Sequence, residues 1–204
     1  MTLLLFIQIT FVCLLGAMSP GPSMMVVINN AIFKNKFNGI LTAIGHGFGI
    51  GIYAFFAVVG VGLILKTNTI VFNSLKFLSI IFLFYLGIQA IMKKDQIEFD
   101  KNNIKSGLRS FLQGLSISIL NPKIFIWFIA IYSQFMSLNN DYFFNISLVL
   151  IASIVDALWY LLLVNLVTSH TILELIKNKS YLIQKIVGIL FIIISIILLI
   201  DLFG

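Results

Sequence analysis

Asp156 stands in "SIVDALWY", inside the run 143–168, where no other residue is charged. A bare carboxylate in hydrocarbon costs at least about 2.5 kcal/mol, so such a group is either paired or functional. On a helix, Ser153, Trp159 and Tyr160 share its face at i−3, i+3 and i+4, offering hydrogen bonds and an aromatic wall. Lys123 is the obvious opposite charge. A pair that opens and closes with protonation would couple a proton to a solute; a purely structural Asp–Lys pair is the alternative. His46, in "GILTAIGHGFG", reads first as a packing histidine and second as a proton relay.

Two other stretches interrupt apolar runs, Ser19-Pro20-Gly21-Pro22 and Asn121-Pro122-Lys123. A helical proline lacks the N–H that would bond the carbonyl four residues earlier, and its ring clashes with that carbonyl. The carbonyls of Gly16, Met18 and Ser118 are therefore expected to be released. In hydrocarbon such breaks are tolerated only against protein or a wet cavity. Released carbonyls suit an ammonium and helix N-termini suit a carboxylate, so paired breaks fit a zwitterionic solute. A simple kink is the competing reading. Gly114, Ser118 and Asn121 make a polar stripe leading to the second break, and Tyr85 and Gln89 share a polar face. The candidate solute-binding residues are Ser19, Pro20, Gly21, Pro22, Tyr85, Ser118, Asn121, Pro122, Lys123, Trp159 and Tyr160, with Asp156 the candidate proton carrier.

The elements that position these residues follow from composition. Of 204 residues, 60% are hydrophobic and 10% charged, and mean hydropathy is +1.11. Soluble domains carry about 25% charged residues, so the solvent here is lipid. Crossing hydrocarbon takes about 20 apolar residues as helix. Six such runs are expected, at about 3–28, 39–65, 70–92, 110–136, 143–168 and 182–203, giving an all-α integral membrane domain over 1–204. The first run lacks the basic residues of a signal peptide before Lys34, so it is expected to be retained as the first span. Cys13 is the sole cysteine, and His46 and His170 have no metal-site spacing, so neither cofactor nor metal is expected. Glycines 45, 47, 49 and 51 form overlapping GxxxG patterns suited to close helix packing.

Basic residues fall unevenly. Lys34 and Lys36, then Lys93, Lys94, Lys101, Lys105 and Arg109, then Lys177, Lys179 and Lys185 lie on one side, with only Lys66 and Lys76 opposite. The positive-inside rule puts the richer side in the cytoplasm and both termini outside. The net charge of +6 is thus a topology signal, with no nucleic-acid partner implied. A polar loop at about 93–109 separates a first repeat, about 1–92, from a second, about 110–204. Three spans in each half give opposite orientations, a 3+3 inverted-topology repeat with its first and fourth helices broken at the proline motifs. A channel would need polar residues continuing along several spans, and an enzyme a second mid-span acid or a metal cluster; neither pattern is present. A membrane scaffold has no feature in its favour.

The ordered pieces "SPGP" at 19–22, "GILTAIGHGFG" at 39–49, "YLG" at 85–87, "FLQGLSISILNPK" at 111–123, "WF" at 127–128, "QF" at 134–135, "DALWY" at 156–160 and Gly188 resemble the LysE/RhtB family of amino-acid exporters. They span nearly the whole chain. The resemblance implies an inner-membrane secondary transporter of bacteria that expels amino acids by proton antiport, surrounded by lipid and assembling as a homodimer. An exporter of another small solute is the alternative. Carried over by position, it marks Pro20, Gly21, Pro22, Asn121, Pro122, Lys123 and Asp156. Ser23 follows the Pro-Gly-Pro where members often have Asn, and Ser195 stands where a late glycine is expected.

Overall fold

The computed structural model describes residues 2–92, 107–138, 141–167 and 169–203, and among them there is no strand. The helices are α1 (Thr2–Met18), α2 (Pro22–Asn29), α3 (Lys36–Thr67), α4 (Thr69–Met92), α5 (Leu108–Ile119), α6 (Pro122–Leu138), α7 (Tyr142–Val167) and α8 (His170–Phe203), with a π-helical turn at Asn30–Lys34. Most of the polar loop expected at 93–109, including Lys93, Lys94, Lys101 and Lys105, lies outside the described residues.

Three whole helices, α3, α4 and α7, are long and apolar enough to cross a bilayer, as is Tyr181–Ile200 within α8. Two bent pairs supply the rest: α1 meets α2 at 69° and α5 meets α6 at 59°. Counted as one broken span each, they make six, in the order broken, straight, straight, twice over. The breaks fall at the proline motifs, and Pro22 and Pro122 each open the second half-helix. Proline is favoured there because the first helical N–H has no acceptor within the helix anyway. The first broken span runs on through the π turn to Lys34, beyond the expected residue 28. The last helix starts at His170, so the expected turn around Lys177 and Lys179 is helical. No Gly or Pro stands between Val167 and Lys185 to stop it.

Polar side chains mark the other ends. Asn35 Oδ1 accepts from Asn38 N at 2.9 Å at the start of α3, and Asp141 Oδ1 accepts from Phe144 N at 2.7 Å at the start of α7. Each satisfies a first-turn donor that the helix leaves open. At the π turn, Asn30 Nδ2 donates to Thr42 Oγ1 (2.7 Å) and Gln113 Oε1 (3.0 Å), and Lys34 Nζ donates to Gln113 Oε1 (3.1 Å). This polar knot ties the end of the first span to α3 and α5.

Helix α3 is central, packed on α5, α6 and α7, while α4 packs on α8 and α1 on α7. Glycines allow the close approaches. A Cβ on Gly45 would lie 2.1 Å from the Phe111 carbonyl oxygen of α5, and one on Gly47 would lie 2.7 Å from Ala157 Cβ of α7. The glycine run of α3 thus packs against neighbours on both sides of His46. A large apolar core joins Ile9, Ile50, Ile131, Tyr132, Leu148 and Phe191. A smaller one joins Met24, Val27, Ala43, Tyr160 and Val164. Phe37, Phe55, Ile81, Leu158 and Ile197 are among the many exposed large apolar side chains, which suits a lipid surround and not water.

Candidate functional site

The two breaks meet. Lys123 Nζ, just past the second, donates to Ser19 Oγ in the first at 3.1 Å across 104 residues of sequence. Between them lies a cavity of about 80 Å³. Ser19, Gly21, Pro22 and Ser23 from the first break and Asn121 and Lys123 from the second line one part of it. His46 and Ile50 of α3 and Asp156 and Tyr160 of α7 line another. Trp127 and Phe128 of α6, Phe191 of α8 and Cys13 and Gly16 of α1 supply an apolar wall. Gly16 is required by the indole of Trp127: a Cβ there would sit 2.9 Å from its Cζ2.

The breaks are built differently. At the second, Asn121 Oδ1 accepts from Lys123 N at 3.1 Å, an Asx cap on α6. At the first, Gly21 is extended and α2 has no side-chain cap. Helix N-termini carry partial positive charge, so both openings favour an anion. The released carbonyls do not all stay open, as the prolines alone would suggest. Gly16 O accepts from Ser19 N at 3.2 Å and Ser118 O from Asn121 N at 3.4 Å, each through the turn that follows. The neighbouring Ile119 carbonyl accepts from the Tyr53 hydroxyl of α3.

Asp156 is buried, and its carboxylate meets His46 instead of the expected Lys123: Nδ1 and Oδ2 are 2.6 Å apart. The His46 and Tyr160 rings meet in a T-shaped contact, centroids 4.9 Å apart. Two buried polar atoms on cavity-lining residues have no hydrogen-bond partner in the protein: His46 Nε2 and Trp127 Nε1. Buried orphans cost about 1–3 kcal/mol each, so their convergence on one cavity points to a polar ligand.

Of the residues singled out from sequence, Ser19, Gly21, Pro22, Asn121, Lys123, Asp156 and Tyr160 line the cavity. Pro20 is buried beside it without lining it. Pro122 starts α6. Ser118 is turned to Leu115 O (2.8 Å) and packs by Gly49. Trp159 joins the smaller core. Tyr85 is 54% exposed on the outer face of α4. Cys13, Ser23, Trp127 and Phe191 are not among the residues expected at the site, Gly16 is expected there only through its carbonyl, and His46 reads from sequence first as packing. The "WF" motif was the one available signal for Trp127. No group of three or more His, Cys, Asp or Glu that could hold a metal occurs among the described residues.

The profile of LysE type translocators matches residues 14–202. The chain is 30% identical over 186 residues to the "Uncharacterized membrane protein YrhP" of Bacillus subtilis, covering 84% of this chain and 87% of that protein. It is 28% identical over 143 residues to the "Threonine efflux protein" of Escherichia coli K12, covering 67% and 69%. To the "Leucine efflux protein" of Salmonella choleraesuis it is 28% identical over 123 residues, covering 59% and 58%. No solved structure matches.

Proposed function

This chain belongs to the LysE type translocator family, and from that premise we propose that it exports amino acids from the bacterial cytoplasm across the inner membrane in exchange for protons. It is a multi-pass membrane protein and a transporter, not an enzyme. Relatives named for threonine and leucine efflux support an amino-acid substrate. The observation that carries the reading is that His46 and Trp127, each with a buried polar atom that has no partner in the protein, both line the cavity where the two breaks meet.

A zwitterion fits the chemistry of that cavity. Its carboxylate would lie at the uncapped start of α2 and the Lys123 ammonium, and its ammonium by the His46–Asp156 pair. The apolar wall of Trp127, Phe128 and Phe191 would receive the side chain. Alternating access would open the cavity to each side in turn, with the His46–Asp156 pair carrying the coupling proton. A basic cytoplasmic side and external termini complete the reading.

Proteoliposome counterflow tests it. Liposomes loaded with threonine or leucine should exchange labelled amino acid and accelerate under a pH gradient. Asp156→Asn should bring the gradient-driven part down to background. Undiminished gradient-driven exchange in that variant would remove the pair from coupling.

A further inference from the structure

The hydrogen bond between His46 and Asp156 fixes what the other ring nitrogen can do. Nδ1 faces Oδ2 at 2.6 Å, so a neutral imidazole places its one proton on Nδ1 and leaves a lone pair on Nε2. That Nε2 is buried, without a partner in the protein, on a residue that lines the cavity. The nitrogen is therefore an acceptor backed, through the ring, by a carboxylate.

We propose that the ammonium of the transported amino acid and the coupling proton compete for this one atom, His46 Nε2; the inference rests on the amino-acid exchange reading above. With the ring neutral, the ammonium donates a hydrogen bond to Nε2, and the Asp156 carboxylate behind the ring supplies the attraction. When a proton occupies Nε2, the ring becomes a cation paired with Asp156. Nε2–H is then a donor, which meets the ammonium with like charge and no acceptor. Loading therefore moves one proton from Nε2 to cavity water, while the ammonium keeps all three of its own. The ring region carries one added positive charge whichever occupant holds it. Mutual exclusion of this kind is what an exchanger requires: the site returns either with a proton or with a solute.

Other groups facing the ring do not offer the same exchange. The titratable cavity-lining residues are Cys13 from α1, Lys123 from α6 and Asp156 and Tyr160 from α7. The lining residues from α2 and α8, Pro22, Ser23 and Phe191, are not titratable, and α5 meets α3 beside the ring through Gly114 and the backbone of Phe111. Lys123 is already engaged with Ser19. Of these side-chain types, imidazole is the one whose ordinary titration falls between about pH 5 and pH 8.

The test is calorimetric titration of the full chain in nanodiscs with L-threonine and L-leucine, repeated in buffers of different ionisation enthalpy to count protons. Binding should release about one proton per amino acid at the acid end of the window and none at the alkaline end. The dissociation constant should rise about tenfold per pH unit on the acid side. His46→Gln should bind more weakly, with no proton release and a flat pH profile. Proton uptake on binding would place the carboxylate on a protonated ring and overturn the proposal. Binding with no proton change anywhere in the window would overturn it too, as would His46→Gln that still releases a proton. These last outcomes leave amino-acid transport standing. Failure of both amino acids to bind at any pH would sink the transport reading and this inference together. The wild-type proton count decides the matter even where the variant does not fold.

Discussion

Replacing Gly45 by alanine tests whether the α3–α5 contact sets the geometry of the site. A methyl at Gly45 would fall 2.1 Å from the Phe111 carbonyl oxygen, where ordinary contact begins at 3.4 Å. The shortfall, 3.4 less 2.1, is about 1.3 Å. No side-chain rotation relieves it, because the obstructing atom is backbone. Gly114 mirrors the arrangement from α5, its added Cβ lying 2.0 Å from the Thr42 carbonyl oxygen. The two helices must separate, at the roughly 1–3 kcal/mol typical of an overpacked core. Helix α3 cannot simply shift the other way, since Gly47 already stands against Ala157 of α7. Gly60, on the same helix with nothing within 4 Å of an added Cβ, is the internal control. Alanine there relieves the entropy cost of a helical glycine, worth about 0.5–1 kcal/mol. Thermal unfolding in detergent, followed by tryptophan fluorescence, reads both variants. With about 2–4 °C per kcal/mol for a chain of this size, Gly45→Ala should unfold clearly below wild type and Gly60→Ala at or slightly above it. Equal melting of the two variants would refute the close-packing argument.

Tyr53→Phe removes the donor to the Ile119 carbonyl beside the second break; about 1–3 kcal/mol of stability should be lost, seen as a lower melting temperature in the same assay. Lys123→Met removes the charge that joins the two breaks through Ser19. Affinity for the transported amino acid should fall tenfold or more, since a hydrogen bond to a charged group is worth about 1.5–3 kcal/mol, with helicity by circular dichroism unchanged.

Much of the fold was written in hydropathy, because a bilayer demands long apolar runs and tolerates little else. The breaks were equally plain: proline cannot continue a hydrogen-bond ladder, and Pro22 and Pro122 start new helices where the motifs stand. Rotation of one span about its axis relative to another was not legible. Asp156 was matched to Lys123 by charge alone, whereas the glycines on either side of His46 bring that ring to 2.6 Å. Tyr85 shows the same limit: α4 is apolar nearly all round, so its polar face carried no sign of pointing outward. Trp127 and Phe191 look in sequence like any other aromatic residue of an apolar helix. Only tertiary packing selects them for the cavity wall.

The chain contains one thiol, Cys13, and that thiol is buried on a wall of the cavity. Any thiol-specific reagent that marks the native protein therefore marks this wall and no other place, with no background of engineered cysteines to remove. Its rate of reaction is a clock on exposure. A membrane-impermeant reagent applied from one compartment counts how often the path from that compartment reaches Cys13. Applied to each side in turn, it turns a single sulfur atom into a reporter of which door stands open.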